Sequence, residues 1–319
     1  MDLIDKKLLC ELDLNCRNPL SKIAKNLRIS RNVADYRIKN LEKQGIINGY
    51  ICTVNLGLLG YKTYKVYFKI YSSQKNLEEK FVKNLTKDSS VLCIIKTEGT
   101  FDYSATVAVK DILELDNFLT DVKTGFNKLI SDYSVSIVVY SRIFKLNKVL
   151  FGQKREVAKI EKYSSSEKAN KIDDKDKKIL KCISQSANLP IIDIAEKTKL
   201  SVEIVKYRLK SLSHLINSNR VLLDFNKMGY HNYIVMLKLK PTTKNDEEKL
   251  VSWCTQKNNV LFCTKRIGVY DFEINIAVTD IIDLNNFISK LKEEFGELIN
   301  SYNLVLNSKL IKLNYIPFG

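Results

Sequence analysis

Residues 30–45, SRNVADYRIKNLEKQG, place side chains able to read a base edge beside others able to hold a phosphate. Arginine can pair bidentately with guanine and asparagine with adenine, and Arg31 and Asn32 supply both at adjacent positions. On a helix opened by Ser30, residues 31, 32, 35, 36 and 39 share one face. That face carries Arg31, Asn32, Asp35, Tyr36 and Lys39, opposite Ala34, Ile38 and Leu41, which suit a core. Lys22, Arg28 and Lys39 suit phosphates, and Ser30 joins the DNA-facing set at the start of the helix. Arg37 has two readings, base or phosphate contact and a structural ion pair, because a second copy of the stretch keeps it as Arg208. The chemistry implied is recognition of double-stranded DNA.

The second copy, SVEIVKYRLKSLSHLI at 201–216, changes the residues that would do the reading. Val202 and Glu203 stand where the first copy has Arg31 and Asn32, and Ile216 stands in place of Gly45. Glu203 gains from the helix dipole and could accept a hydrogen bond from cytosine, yet it would repel a phosphate. Lys206 and Lys210 remain, so a weak contact that ignores sequence is expected there.

Other chemistries find little support. No Ser-His-Asp set, paired catalytic acid or P-loop occurs, so no catalytic residue is assigned. Seven cysteines form no C-x-x-C pair and only two histidines are present, His214 and His231; no metal or cofactor is expected. Several cysteines lie in apolar runs such as VLCII and VLFCT, as reduced core thiols of a cytoplasmic protein would. No run of about 18 apolar residues suggests a membrane span. Lys and Arg number 52 against 36 Asp and Glu, a net charge of +16 that favours a polyanionic partner.

The elements that must position these residues come twice. At an offset of 171, Asp5-Lys6-Lys7-Leu8-Leu9 falls on Asp176-Lys177-Lys178-Ile179-Leu180, Pro19 on Pro190 and Tyr36-Arg37 on Tyr207-Arg208. Two residues are lost near Asn226, and at an offset of 169 Gly99 falls on Gly268, Asp102 on Asp271 and Phe118 on Phe287. Within each copy, helical spacing over Ile4–Leu12, Leu20–Leu27 and Ala34–Leu41 gives three helices. Gly45 ends the third, and Ile46 to Val54 reads as a short hairpin, the wing of a helix-turn-helix. Then follow strand, helix, two strands joined by the Glu98-Gly99-Thr100 turn, a helix over Asp111 to Leu129, and a closing strand, the split βαβ order. The charged, serine-bearing stretch 147–172 reads as a linker, partly helical.

Asp5-Lys6-Lys7-Leu8-Leu9, Arg17-Asn18-Pro19-Leu20, Ile23-Ala24, Leu41-Glu42-Lys43-Gln44-Gly45 and Ile47-Asn48-Gly49-Tyr50 resemble the N-terminal domain of the Lrp/AsnC, or feast/famine, transcriptional regulators. The remainder of each copy resembles that family's sensing and oligomerising domain, with its G-x-x-D turn at Gly99–Asp102 and Gly268–Asp271. The resemblance implies an α+β chain of two winged helix-turn-helix modules, 1–57 and a drifted 173–227. Each is followed by a ferredoxin-like βαββαβ domain, 58–146 and 228–319, with 147–172 between. It further implies a sequence-specific regulator and a small effector, such as an amino acid, near Gly99, Asp102, Gly268 and Asp271. Family sensing domains pair, so the two copies are expected to form an intrachain pseudo-dimer, with homo-oligomers as a further option. Two alternatives stand beside this: a haem-biosynthesis enzyme like the sirohaem decarboxylases, and a sensing or scaffold protein that no longer binds DNA. The hairpins VLCIIKTEGTFDYSATVAV and VLFCTKRIGVYDFEINIAV contain no histidine, which weighs against the enzyme.

Overall fold

A computed structural model describes residues 1–71, 75–152 and 169–318, and the backbone of 159–162. The first half begins with α1 (Leu3–Asn15), α2 (Leu20–Leu27) and α3 (Arg31–Lys43), then β1 (Ile47–Val54). It continues through β2 (Lys62–Ile70), α4 (Lys75–Lys87), β3 (Val91–Gly99), β4 (Tyr103–Val109), α5 (Ile112–Gly125) and β5 (Ile130–Ile143). Between the halves lie α6 (Leu146–Phe151) and β6 (Lys159–Lys162). The second half repeats the order: α7 (Asp174–Gln185), α8 (Ile191–Thr198), α9 (Val202–Ser211), β7 (Ile216–Leu223), β8 (His231–Leu239), α10 (Lys244–Gln256), β9 (Val260–Gly268), β10 (Phe272–Val278), α11 (Ile281–Phe295) and β11 (Ile299–Leu313).

Local chemistry explains the boundaries. Asp2 and Asp5 form a capping box at the start of α1, and Asp173 and Asp176 repeat it on α7. Gly45 takes φ +69° after α3, the left-handed stop that a residue without Cβ reaches freely. The second copy has no such glycine: α9 runs only to Ser211, tightens into a 3-10 turn over Leu212–Leu215 and passes straight into β7 at Ile216.

Residues 46–54 do not make the hairpin that their β-branched content suggests. They make one strand, β1, whose antiparallel partner is β7 of the other half, with Ile51 opposite Arg220. The ranges of β1 and β7 are offset by 169, so the two lost residues precede the strand instead of lying near Asn226. Ile51 and Arg220 are therefore repeat equivalents, and a pseudo-twofold axis passes between them. The two heads and this ribbon share one core that runs from Leu8, Leu9 and Ile23 to Ile179, Leu180 and Ile194. A strand facing its own copy across an axis needs no turn to find a partner, which is why the hairpin pattern misleads.

Each sensing domain has the ferredoxin-like strand order, β5-β2-β4-β3 and β11-β8-β10-β9. Their edges do not stay open: β3 pairs with β11 and β9 with β5, so the ladder runs round eight strands and closes on itself. Outside this barrel α4 and α5 cover Val66, Phe68 and Ile94, and α10 and α11 cover Val235, Leu237 and Ile274. Inside it Tyr67, Phe101, Ile234, Met236, Tyr270 and Val305 form a small cluster drawn from both halves. The stretch read as a linker adds β6, which pairs with Tyr140–Ile143 at the outer edge of β5.

Candidate nucleic-acid interface

The helix-turn-helix of the first half is α2 and α3, and both are anchored from below. Ile23 and Ala24 of α2 and Ala34 and Leu41 of α3 are buried, which turns the remaining faces outward. The turn between them passes through Arg28 at φ 55°, and Lys199 repeats this at 56°, a conformation costing an L-residue roughly 1–2 kcal/mol. Ser30 caps α3, its Oγ accepting from the Val33 N–H at 3.2 Å, and Ser201 does the same for Ile204 at 3.3 Å.

The predicted contact residues divide by what already holds them. Lys22, Arg28, Arg31, Asn32 and Tyr36 are exposed, and among the described residues the Lys22, Arg28, Arg31 and Asn32 side chains form no hydrogen bond or ion pair within the chain. Lys39 is exposed too and rests on Asp35 at 2.7 Å, a solvent-facing pair that exchanges easily for a phosphate. Arg37 is different. Its Nη1 donates to Asp2 at 2.7 Å and to Asp5 at 2.8 Å, the two carboxylates of the α1 capping box. Arg208 repeats the arrangement on Asp173 and Asp176 at 2.6 and 3.0 Å. Of its two readings, the ion pair is what the geometry gives Arg37: a brace between α1 and α3.

The second head presents a different surface on the same frame. Lys206 and Lys210 are exposed on α9, as is Tyr207. Around them, at the repeat offset, Lys22 has become Asp193, Lys25 has become Glu196 and Asn32 has become Glu203. Ile192, in place of Ser21, is 68% exposed. The first face carries Lys22, Lys25, Arg28, Arg31 and Lys39 against Asp35 alone. The second sets Lys199, Lys206 and Lys210 against Asp193, Glu196 and Glu203. The third helices alone do not carry this change; it is legible at the repeat offset in the α2 and α8 stretches, where Lys22 and Lys25 give way to Asp193 and Glu196.

The G-x-x-D turns build the barrel. Gly99 has φ +123° and Gly268 +141°, and a Cβ on them would sit 2.7 Å from Leu304 O and 2.8 Å from Val135 O, each on the other half's strand. Asp102 accepts the Ile70 N–H at 2.9 Å and Asp271 the Leu239 N–H at 2.8 Å, tying each turn to the neighbouring strand. Between glycine and aspartate, Phe101 and Tyr270 plug the interior beside Tyr67, with Phe101 stacked on Tyr67 at 5.0 Å. Deeper in, Arg266 donates to Glu273 in a buried pair near Lys65. Burial pushes the Glu273 carboxyl up to about 7, and Lys65 opposes the shift.

Two cavities lie between the heads and the barrel. One, about 390 Å³, is bounded by Asn15, Arg17, Lys145 and the start of β7. The other, about 540 Å³, lies under the ribbon against β3, β9 and β11. Asp13 and Arg220, ion-paired at 2.7 Å, line both, and Asp13 also accepts the Leu146 N–H. No histidine lines either one. His214 bonds Ser211 O at 2.8 Å, and His231 is exposed at the start of β8. Among the described residues no group of three His, Cys, Asp or Glu is placed to hold a metal, and no helix is long and apolar enough to cross a membrane.

Fold and site together define a winged helix-turn-helix protein built twice in one chain. A family model described as winged helix-turn-helix DNA-binding matches residues 1–48 and again 172–213. The transcriptional regulator Ptr1 of Methanocaldococcus jannaschii is 30% identical over 121 residues, 38% of this chain and 80% of that protein. The regulator FL11 of Pyrococcus furiosus is 28% identical over 119 residues, 37% and 78% respectively. Among solved structures, the siroheme decarboxylase NirDL is similar over the whole chain, with a TM-score of 0.64, 15% identity, and coverage of 99% of this chain and 94% of that one. At that identity the likeness is one of fold. The chain belongs to the Lrp/AsnC family of helix-turn-helix transcriptional regulators, in tandem-duplicated form.

Proposed function

We propose that this chain is a DNA-binding transcriptional regulator that reads sequence with its first head, while the second contributes the other half of the frame. The observation that carries the reading is the exposed basic face of α2 and α3, where Arg31 and Asn32 project with no partner among the described residues. Arg31 and Asn32 reach base edges, and Lys22, Arg28 and Lys39 hold phosphates. On the second head, Asp193, Glu196 and Glu203 offset Lys206 and Lys210, so its contact with DNA is weak and indifferent to sequence. No effector is assigned to Gly99, Asp102, Gly268 and Asp271, because their geometry is used in closing the barrel. Under this reading the protein works in the cytoplasm, with the two halves of one chain standing where other chains of the family place two subunits.

Footprinting on DNA selected from genomic fragments tests it. One sequence-specific half-site per chain is expected, with log K falling against log salt by roughly 0.9 per phosphate contacted. Arg31→Ala or Asn32→Ala should each cost about 1–3 kcal/mol of discrimination, and Lys206→Ala should weaken all sequences alike. Two equally specific half-sites, or a flat salt dependence, would overturn the proposal. The enzyme is the second reading, favoured by the whole-chain likeness to NirDL. Sirohaem added to the protein separates the two: loss of carboxyl groups from it would establish the enzyme.

A further inference from the structure

The 540 Å³ cavity lies where the duplication leaves the two halves unlike each other, and its size is that of a small-molecule site. Its roof is the β1–β7 ribbon, which sets the two heads, and its floor is the barrel. On one side of the pseudo-twofold axis Ser141 and Thr264, opposite each other on β5 and β9, are buried and hydrogen-bonded at 2.8 Å. Here β6 covers the outer edge of β5. On the other side their repeat equivalents are Leu310 and Ile95, opposite each other on β11 and β3, and both line the cavity. Among the described residues no strand covers that edge of β11, and Leu310 is 41% exposed. The same place in the fold is therefore a closed polar pair in one half and an open apolar wall in the other.

The polar groups on the lining narrow the ligand. Arg220 is held by Asp13, and the Asp224 carboxylate accepts the Asn226 and Lys227 N–H groups at 3.0 and 3.2 Å. Lys309 is exposed at the rim, next to Leu310, and has no carboxylate partner among the described residues. Asn307 donates from Nδ2 to Asn232 at 3.2 Å, and its buried Oδ1 lacks a partner among the described residues. An apolar wall with one unneutralised ammonium at its mouth and a carboxamide within suits a molecule with an aliphatic or aromatic body and a single carboxylate.

We propose that this cavity binds a small amphipathic carboxylic acid, its body against Ile95, Leu310 and the underside of the ribbon and its carboxylate at Lys309. A molecule there touches the ribbon and the barrel at once. Its occupancy biases how the heads are held and hence the affinity for DNA, a regulatory step that rests on the DNA-binding reading.

Calorimetric titration of the full chain with octanoate, with octanol as the uncharged control, tests the site. Saturable octanoate binding with one site per chain is expected, with octanol weaker. Lys309→Ala should weaken octanoate about three- to tenfold and leave octanol unchanged. Leu310→Trp should fill the mouth and abolish both; because Leu310 is partly exposed, an unchanged circular dichroism spectrum and melting temperature keep that result interpretable. No saturable octanoate binding, equal binding of octanol, or binding indifferent to Leu310→Trp would each overturn the assignment. DNA affinity measured with and without octanoate tests the regulatory step, and an unchanged affinity overturns it. A chain that binds octanoate at this cavity but no DNA would sink the reading of the heads and leave the site standing.

Discussion

Arg31 and Arg37 lie six residues apart on one helix and meet unlike surroundings. Arg31 is exposed with no partner among the described residues, whereas Arg37 is held by two carboxylates that also cap α1. Substitution should separate them. Arg37→Ala lowers the melting temperature and leaves sequence preference intact, and Arg208→Ala does the same from the second head. Arg31→Ala leaves the melting temperature alone and relaxes preference. Thermal unfolding and selection of DNA from a random pool check the pair; a loss of preference with Arg37→Ala at unchanged stability would return Arg37 to the readout face. Sequence alone held both readings of Arg37 open because a helical wheel gives direction but not the neighbour met along it. The neighbour, α1, is packed there by the core.

The elements most altered by duplication are the strands that meet across the pseudo-twofold axis. Gly268 lets β9 approach β5 closely enough to pair, and Gly99 lets β3 approach β11. A methyl group at Gly268 would be 2.8 Å from the Val135 carbonyl oxygen and 3.1 Å from the Ser136 Cα, backbone atoms that cannot rotate away. Gly268→Ala should therefore cost about 1–3 kcal/mol in urea unfolding, with faster hydrogen exchange confined to the β5–β9 ladder. Exchange accelerated at the hairpin turn alone would mean that the turn conformation, not the close approach, requires glycine. The sequence marked both glycines as turn formers. Their closeness to the opposite half depends on Val135 for Gly268 and on Leu304 for Gly99, partners more than a hundred residues away along the chain, which no local pattern encodes.

At the scale of the molecule, the connector is part of the frame. Lys148, on α6, is buried, and its ammonium donates to Cys254 O at 2.9 Å at the end of α10, with the Phe144 ring 4.4 Å away. Burial pulls its pKa down to about 8 from 10.5. The unfolded chain then binds the extra proton between these two values, so this group's contribution to stability rises as pH climbs from about 8 toward 10.5 and is at its least below 8. Lys148→Met removes the dependence, and the change in the wild-type-minus-variant difference across that window should be on the order of 2–3 kcal/mol. Denaturation at matched pH values measures it; a difference that stays constant with pH would show that Lys148 keeps an ordinary pKa in the fold.

The sequence by itself determined the duplication, the order of elements in each copy, the α+β character and the first head's basic face. Each rests on local signals: helical spacing of apolar residues, a serine cap, a stopping glycine, and β-branched runs. The family likeness follows from the same short stretches. Tertiary structure decided the rest. Residues 46–54 read as a hairpin because a strand pattern does not say who the partner is, and the partner turned out to be the other copy. The Gly-x-x-Asp turns read as ligand candidates through the family resemblance alone, while their spatial neighbours are strands of the opposite half. The cavity under the ribbon has no signature in the chain at all, since its walls come from seven strands of both halves, the end of α1 and the connector. Only the closing of two unequal copies on each other creates the gap.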